Sequence, residues 1–303
     1  MGLNLGGTFL PVTTPFDPVT GDIDVVAFRS NLRHWFESPI RGVLIAGTTG
    51  ESVLLDEAER QVLLEAAADV VPEDALIIVG TGVESTRGTV ELSRRAGAAG
   101  ADAVLVQPPV FFKGAMTPEV LARHYKEIAD ASPVPVLVYQ VPLRMSTLDL
   151  PTGLVEELSR HPNIVGIKDS RGKLDLVGEL VQHSADDFQV LVGSGALLYA
   201  ALETGAVGGI VAVGLLATAG AAEITMAYRE GRVADAGRIQ ERIAPVHQSI
   251  VAQMGVPGVK AALDLLGLRG GDPRAPLSKA SESKVEEIRE ILATAGLLTL
   301  ARV

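Results

Sequence analysis

Cysteine is absent from this chain of 303 residues. Its absence excludes disulfide bonds, thiolate nucleophiles and metal sites built on thiolates. Aromatic residues are also scarce, at 4% of the sequence, although hydrophobic residues make up 47% of it. Because most of that apolar content is Ala, Val and Leu, the composition favours helices packed on parallel strands over an aromatic-rich β sandwich.

Positive charge is in short supply as well. Lysine and arginine number 26 against 37 aspartates and glutamates, which gives a formal net charge of -11. An acidic chain is not attracted to nucleic acid or to anionic lipid, so we predict no nucleic-acid partner and no membrane partner. The sequence has no uninterrupted apolar run of about 18 residues. Its N-terminal segment lacks the basic and apolar parts of a secretory signal, so we expect a cytoplasmic protein.

Eight short apolar runs recur along the first 213 residues, with helical segments between them. This alternation is typical of a parallel sheet, and eight such units in about 230 residues predict an α/β fold, a closed (β/α)8 TIM barrel. The alternative is an open doubly wound sheet, but the turns GTGVES and GSGALL lack the third glycine of a dinucleotide fingerprint. The runs are FLPVTT (9–14), GVLIAG (42–47), ALIIVG (75–80), DAVLVQ (102–107), VPVLVY (134–139), IVGIK (164–168), FQVLVG (188–193) and GGIVAV (208–213).

The strand pattern stops after about residue 231, and three segments with helical periodicity follow. We therefore predict a catalytic barrel at residues 1–230 and a C-terminal helical appendix of three helices at residues 231–303. The three segments are RVADAGRIQERIAPVHQSIVAQMG, VPGVKAALDLLG and SESKVEEIREILATAGLL.

The C-terminal ends of the predicted strands carry polar side chains, and active sites of such barrels lie at those ends. Strand six ends in Lys168 and strand five in Tyr139, while strand two ends in the turn GTTGE. A lysine is almost fully protonated at neutral pH, but desolvation lowers its pKa and frees the amine. A free amine attacks a ketone, and the iminium so formed serves as an electron sink.

The neighbouring groups fit a 2-oxo acid as the substrate. Tyr139 is placed to carry protons, and the turn from Gly47 to Gly50 offers backbone N–H groups and hydroxyls to a carboxylate. Each residue also has a purely structural interpretation: Lys168 as an ion-pair partner of Asp169, Tyr139 as packing, and Glu51 as a helix cap. Adjacent strand residues point to opposite faces, which predicts that Asp169 does not share the lumen with Lys168.

Other chemistries fit less well. The five histidines show neither HExxH nor another paired metal-ligand spacing,. The P-loop pattern is absent, and the ends of strands four and seven lack the carboxylates that a glycosidase needs. We therefore predict no metal and no nucleotide cofactor, with a covalent lysine imine as the reactive intermediate. The histidines are His34, His124, His161, His183 and His247.

Taken together, the motifs PVTTPFD, GTTGE, VLVYQVP and IVGIKDS resemble those of the superfamily of dihydrodipicolinate synthase and N-acetylneuraminate lyase. The resemblance extends over nearly the whole chain. It implies a (β/α)8 barrel with a C-terminal helical region and Schiff-base aldolase or lyase chemistry on a small 2-oxo acid. It also implies a homotetramer or dimer of dimers.

The resemblance further implies a role for individual residues. Lys168 would form the Schiff base, Tyr139 would relay protons and Thr48 would be the hydroxyl partner of that tyrosine. Thr49, with its backbone amide, would bind the substrate carboxylate, and Ile210 on strand eight would line the pyruvate pocket.

Three positions bear on which member of the superfamily this chain resembles most. Dihydrodipicolinate synthases carry a tyrosine after the fourth strand, and QPPVFFKG places Phe112, or else Phe111, where that hydroxyl belongs. Arg144 matches the arginine that those synthases use for the carboxylate of aspartate semialdehyde. The middle and end of the chain look most similar to 4-hydroxy-2-oxoglutarate aldolases, in which a serine after the Lys-Asp pair assists at the site, and Ser170 fits that position.

We therefore expect a pyruvate-dependent Schiff-base aldolase or lyase that reversibly cleaves 4-hydroxy-2-oxoglutarate to pyruvate and glyoxylate. Dihydrodipicolinate synthesis is the first alternative, followed by a sugar-acid aldolase or dehydratase. A barrel that binds a 2-oxo acid or a sugar acid as a sensor, without turnover, is an alternative of a different class.

Overall fold

The computed structural model describes residues 2–298. Eight parallel strands pair in chain order, and the last one pairs with the first to close a barrel. The closed ring confirms the predicted (β/α)8 architecture. The strands are β1 (Gly7–Pro11), β2 (Gly42–Ile45), β3 (Leu76–Gly80), β4 (Ala103–Val106), β5 (Val136–Gln140), β6 (Ile164–Asp169), β7 (Gln189–Val192) and β8 (Gly208–Ile210).

Helices follow the strands and cover the outside of the barrel, and further helices follow β8 toward the C-terminus. None of the helices within residues 2–298 is long and apolar enough to cross a membrane. The helices are α1 (Val25–Trp35), α2 (Glu57–Ala68), α3 (Thr86–Ala98), α4 (Pro118–Ala131), α5 (Thr152–Ser159), α6 (Leu174–His183), α7 (Leu198–Glu203), α8 (Thr218–Arg229), α9 (Val233–Val246), α10 (Gly255–Leu265) and α11 (Glu282–Thr294).

Capping side chains explain where three of the helices start. Asp56 and Glu59 form a reciprocal capping box at the start of α2, in which each side chain accepts a hydrogen bond from the other residue's backbone N–H,. Ser85 caps α3 through the backbone N–H of Gly88. Thr117 caps α4, whose first residue is a proline,. These caps satisfy N–H groups that have no partner inside the helix.

The barrel interior is filled by one face of every strand, because successive strand residues point to opposite sides. The interior cluster contains Phe9, Leu44, Ile78, Leu105, Leu137 and Leu191, all of them buried. Tyr139 and Ile210 belong to the same cluster. The other face of each strand packs against the surrounding helices. Two of the residues expected at the site therefore lie inside the barrel.

The strand that closes the barrel starts earlier than predicted, at Gly7 instead of residue 9. Gly7 and Thr8 pair with Gly208 and Gly209 of β8. A side chain at Gly208 would overlap the backbone of Gly7, so two glycines allow the closest approach at the seam. The first strand also ends at Pro11, and β8 ends at Ile210 where residues 208–213 were predicted.

The first C-terminal segment, predicted as one helix, changes its winding in the middle. Helix α9 ends at Val246, and a π-helical segment continues from His247 to Met254. Pro245 lies just before the change and has no N–H group to donate,. Residues 299–303 of the predicted appendix, and residue 1 of the predicted barrel region, lie outside the described residues. The division at residue 230 stays a prediction.

One histidine is buried far from the strand ends. His124 lies on α4, and its Nδ1 forms a hydrogen bond of 2.8 Å with Thr86 Oγ1. Its other ring nitrogen, Nε2, has no hydrogen-bond partner among the described residues. Burial lowers the pKa of His124 to about 4. The imidazole is therefore neutral in the folded protein at neutral pH.

We expect His124 to make folding depend on pH. The pKa is about 6.5 in the unfolded chain and about 4 in the folded one, so unfolding takes up a proton, and stability is lost as the pH falls from 6.5 toward 4. Between about pH 7.5 and pH 5, the wild type should lose about 2 kcal/mol more unfolding free energy than His124→Gln. Urea denaturation measures this, with the exposed His183→Gln as the control. Equal losses in wild type and His124→Gln would contradict it.

Candidate active site

A cavity of about 360 Å³ opens at the C-terminal ends of the strands. It brings together seven of the residues singled out in the sequence, which come from β5, β6, β8 and the loops after β2, β5 and β6. Convergence of these distant segments on one mouth is what the barrel topology predicts. The seven residues are Thr48, Thr49, Tyr139, Arg144, Lys168, Ser170 and Ile210.

Lys168 occupies the end of β6, next to Tyr139 on β5. Its side chain is buried, and its Nζ lies 4.6 Å from the centre of the Tyr139 ring. Burial lowers the pKa of Lys168, and the neighbouring tyrosine opposes this shift. No carboxylate forms an ion pair with Lys168 in the part of the chain that the structure describes. A site of this kind favours the neutral amine, the form that attacks a carbonyl carbon.

Asp169 does not pair with Lys168. Its carboxylate accepts hydrogen bonds from Arg171, whose Nε lies 2.7 Å from Oδ2, and both side chains are almost completely buried. Asp169 is thus on the opposite face of β6, as the alternation of strand side chains predicts. The interpretation of Lys168 as half of a local ion pair is wrong.

Two hydroxyls meet beside the lysine. The Tyr139 hydroxyl and Thr48 Oγ1 are 3.3 Å apart, and one of them donates to the other. Tyr139 is held in the barrel interior, and Thr48 lies in the turn after β2. Paired hydroxyls of this kind can pass a proton between a bound substrate and the solvent.

The two glycines of the GTTGE turn do not line the cavity. A side chain at Gly47 would meet Leu44 at 2.8 Å, and one at Gly50 would meet the carbonyl oxygen of Val12 at 2.9 Å. Both glycines therefore serve close packing of the turn against β1 and β2. The structure places Thr48 and Thr49, and not these two glycines, on the cavity wall.

Ser170 shares a crowded corner with the lysine. A side chain on Gly193, at the end of β7, would overlap the Ser170 hydroxyl and come within 3.2 Å of Lys168 Cε. The backbone N–H of Ser170 donates to the carbonyl of Gln140 at 3.0 Å, which fixes the position of the serine. Gly193 thus leaves the space that the side chains of Ser170 and Lys168 occupy.

The cavity wall carries positive charge. Arg144 is exposed at the mouth, in the loop after β5, and forms no ion pair among the described residues. Arg171 also lines the cavity, but its guanidinium is tied to Asp169 and Asp149. Within residues 2–298, no aspartate or glutamate lines the cavity. Local charge therefore attracts an anion into an otherwise acidic protein.

The aromatic pair after β4 lies outside the cavity. Phe112 is 70% exposed and Phe111 is 79% exposed, and their rings pack edge to face at 5.1 Å. Glu84 holds this segment by accepting hydrogen bonds from the backbone N–H groups of Val110 and Phe111. Phe112, which stands where related synthases carry a tyrosine, therefore does not line the cavity of its own chain.

The C-terminal helices supply a wall that the sequence analysis missed. His247 is buried, and its Nε2 lies 3.4 Å from Ser194 Oγ in the turn after β7, while Nδ1 has no partner. Burial, together with the positive charge of Arg144, lowers the pKa of His247 to about 4. The other wall residues from these helices repeat every three or four positions along the π-helix and α10, a helical spacing that the sequence contains but that does not reveal which surface the helices contact. They are Gln248, Val251, Ala252, Gly255, Val256 and Val259.

Glu51 is not the helix cap that the sequence suggested. No cap hydrogen bond involves its side chain, which is fully buried and forms an ion pair with Lys260 of α10. The sequence could not reveal this pair because the two residues are 209 positions apart.

Comparison with known proteins identifies the family. The family model described as the dihydrodipicolinate synthetase family matches residues 4–295 of the chain. The chain belongs to this family. The proteins of the dihydrodipicolinate synthetase family are lyases that use a lysine Schiff base, so this protein is a lyase of the Schiff-base aldolase type and acts on a small molecule.

Relatives with two different names are similar to the chain. A 4-hydroxy-tetrahydrodipicolinate synthase of Methanopyrus kandleri is 33% identical over 98% of this chain and 99% of its own length. A mitochondrial protein of Emericella nidulans, named as a probable 4-hydroxy-2-oxoglutarate aldolase, is also 33% identical, over 94% of this chain and 93% of its own.

The fold is shared with solved structures of the same family. Dihydrodipicolinate synthase of Acinetobacter baumannii, solved in complex with pyruvate, superposes with a TM-score of 0.92 at 28% identity, over 97% of this chain and 100% of that one. The family therefore fixes the lysine Schiff-base chemistry, while its relatives differ in the reaction for which they are named.

We expect Gly193→Ala to disable the site while the protein stays folded. The added methyl group would overlap Ser170 and crowd Lys168, so the amine could not reach a carbonyl carbon in a productive orientation. The rate of borohydride trapping with pyruvate, followed by mass spectrometry, should fall at least 10-fold.

Gly153→Ala is the matched control, because that glycine lies in α5 with no atom within 4 Å of an added side chain. Its trapping rate should equal that of the wild type. A Gly193→Ala protein that traps pyruvate as fast as the control would show that the corner tolerates an added methyl group.

Proposed function

We propose that this protein catalyses the reversible cleavage of 4-hydroxy-2-oxoglutarate to pyruvate and glyoxylate, with Lys168 as the Schiff-base lysine. The proposal rests on one observation: the amine of Lys168 is buried beside Tyr139. Among the described residues, the wall of this cavity carries positively charged side chains and no carboxylate. A substrate with two carboxylates and a ketone matches both features.

The reaction balances without an added reagent. The Lys168 amine adds to the C2 ketone and water leaves, which gives an iminium. A base takes the proton of the C4 hydroxyl, the C3–C4 bond breaks, and its electron pair forms an enamine while glyoxylate departs as the aldehyde. The enamine takes up a proton at C3, and water hydrolyses the iminium, which releases pyruvate and restores the amine.

The neighbouring side chains serve the proton transfers and the binding of the carboxylates. Tyr139 and Thr48, which share a hydrogen bond, move protons to and from the carbinolamine and the C4 oxygen. Thr49 binds the carboxylate next to the ketone, and Ser170 lies beside the reacting amine. Arg144, at the mouth, attracts the carboxylate that leaves as part of glyoxylate.

Dihydrodipicolinate synthesis is the second candidate. It is favoured by the relative from Methanopyrus kandleri, which is named for that reaction, and by Arg144 on the wall. The acceptor in that reaction, aspartate semialdehyde, carries an ammonium group as well as a carboxylate. Among the described residues that line the cavity, no carboxylate is available to pair with an ammonium, and for this reason we propose this reaction second.

We expect pyruvate release from 4-hydroxy-2-oxoglutarate to exceed the condensation of pyruvate with aspartate semialdehyde by at least 100-fold in kcat/KM. A coupled lactate dehydrogenase assay measures the release, and the condensation is followed by loss of pyruvate. The reverse order would reject the favoured reaction and support the second candidate.

Lys168→Ala is the matching control for the chemistry. It should abolish both turnover and the borohydride adduct with pyruvate, and mass spectrometry should map the adduct of the wild type to Lys168. A wild-type protein that binds pyruvate but forms no adduct at saturation would point instead to a sensor.

We expect Arg144→Gln to weaken binding of the dicarboxylate specifically. Hydrogen bonds to charged groups contribute about 1.5–3 kcal/mol, so the KM for 4-hydroxy-2-oxoglutarate should rise about 10-fold or more. The concentration of pyruvate needed for trapping should stay unchanged, because pyruvate lacks the second carboxylate. Arg123→Gln, on the outer surface of α4, is the control. An unchanged KM in Arg144→Gln would show that the arginine does not bind the substrate.

A further inference from the structure

The GTTGE turn contains a buried charge that the proposed reaction does not use. Both side chains of the Glu51–Lys260 pair are completely shielded from solvent, with Oε1 and Nζ 2.6 Å apart. The second carboxylate oxygen of Glu51 accepts a hydrogen bond from the backbone N–H of Arg274 at 2.7 Å. A buried charge pair is costly to desolvate and stabilises a fold little more than an apolar pair of the same size would.

The cation of this pair is also held by contacts besides Glu51. Lys260 Nζ donates a second hydrogen bond to the carbonyl of Asp272 at 3.0 Å, and it lies 4.6 Å from the centre of the Phe16 ring. The Arg274 guanidinium contacts the same ring at 4.2 Å. These contacts hold Lys260 in one place, and the position of Glu51 is thereby fixed as well.

The turn that Glu51 belongs to is strained. Glu51 has a φ of 61° and Ala46 a φ of 50°, which are left-handed conformations that side-chain-bearing residues rarely adopt,. The backbone N–H of Glu51 donates to the carbonyl of Thr48 at 3.1 Å. A turn in this conformation persists only when surrounding contacts stabilise it. The ion pair of Glu51 with Lys260 and its hydrogen bond from the Arg274 backbone are contacts that can stabilise it.

The pair also joins two walls of the cavity. Thr48 and Thr49 lie on the same turn as Glu51, while Val256 and Val259 lie on α10 with Lys260. A shift of the turn would move Thr48 relative to Tyr139, whose hydroxyl is already 3.3 Å away. Hydrogen bonds weaken steeply beyond such separations.

We propose that Glu51 and Lys260 are positioning residues that hold the Thr48 hydroxyl against Tyr139 for proton transfer. The inference rests on the proposed function only in assigning proton transfer to that hydroxyl pair. Its measurable step is the pyruvate half-reaction, to which we assign the same hydroxyl pair. The pair carries a methyl proton away from the iminium on Lys168, which gives the enamine, and it returns a deuteron from heavy water to that carbon.

The test is the double variant Glu51→Gln/Lys260→Met, which removes both charges and so leaves no unpaired buried charge. We expect its melting temperature to stay within about 5 °C of the wild type. The final yield of the borohydride adduct with pyruvate, measured at saturation after long incubation, should stay within twofold. The exchange of pyruvate methyl protons for deuterium, followed by proton NMR, should slow at least 10-fold. Exchange at the wild-type rate in the folded double variant would overturn the proposal.

A second variant tests the same proposal if the double variant does not fold. Glu51→Asp keeps the charge but shortens the side chain by one methylene group, so the pair can form only if the turn moves toward α10. Exchange should slow at least threefold with trapping retained, and an unchanged rate would overturn the proposal. The surface pair variant Lys284→Met/Glu287→Gln on α11 is the control and should exchange at the wild-type rate.

The outcomes for the wild type separate this inference from the proposed function. A wild-type protein that exchanges pyruvate protons but does not cleave 4-hydroxy-2-oxoglutarate would reject the proposed substrate, and the comparison of exchange rates would still test the positioning pair. A wild type that cleaves the substrate, with unchanged exchange in both Glu51 variants, would reject the positioning pair alone.

Discussion

Everything at the mouth of the barrel depends on one lysine held in a buried place without a counterion. Lys168 has an aromatic ring next to it and no carboxylate within ion-pair distance among the described residues. Burial therefore destabilises the protonated form of the amine and lowers its pKa,. Two neighbouring features are consistent with this constraint. Asp169 forms its ion pair with Arg171 and not with Lys168, and position 193 is a glycine, which leaves room for the lysine side chain.

The sequence predicted those parts of the fold and site that depend on local pattern and on barrel topology. Apolar runs located the strands, and the rule that sites form at strand ends brought Lys168 and Tyr139 together. The sequence could not predict contacts between distant segments: Glu51 pairs with a lysine 209 positions away, and His247 contacts Ser194, which is 53 positions away. Gly47 and Gly50 were misplaced because packing glycines and binding glycines have the same sequence signature.

The helices after β8 are part of the site and not an attachment to it. Gln240 of α9 donates to the carbonyl of Gly195 and accepts from the backbone N–H of Tyr199, both at 2.9 Å, which fixes the turn after β7. His247 reaches the same turn through Ser194. The barrel provides Lys168, Tyr139 and Thr48, and the C-terminal helices provide a further part of the wall of the same cavity.

The π-helical wall between His247 and Met254 gives this family member an unusual way to diverge. A π-helix holds more residues in each turn than an α-helix does, so loss of one residue lets the segment rewind into the commoner form. Because the rewinding takes up the lost residue, the helices on either side keep their orientation and only the side chains within the segment change places. A single codon deletion in this segment would thus alter several groups of the cavity wall at once without turning α10, whereas point substitutions would have to replace them singly.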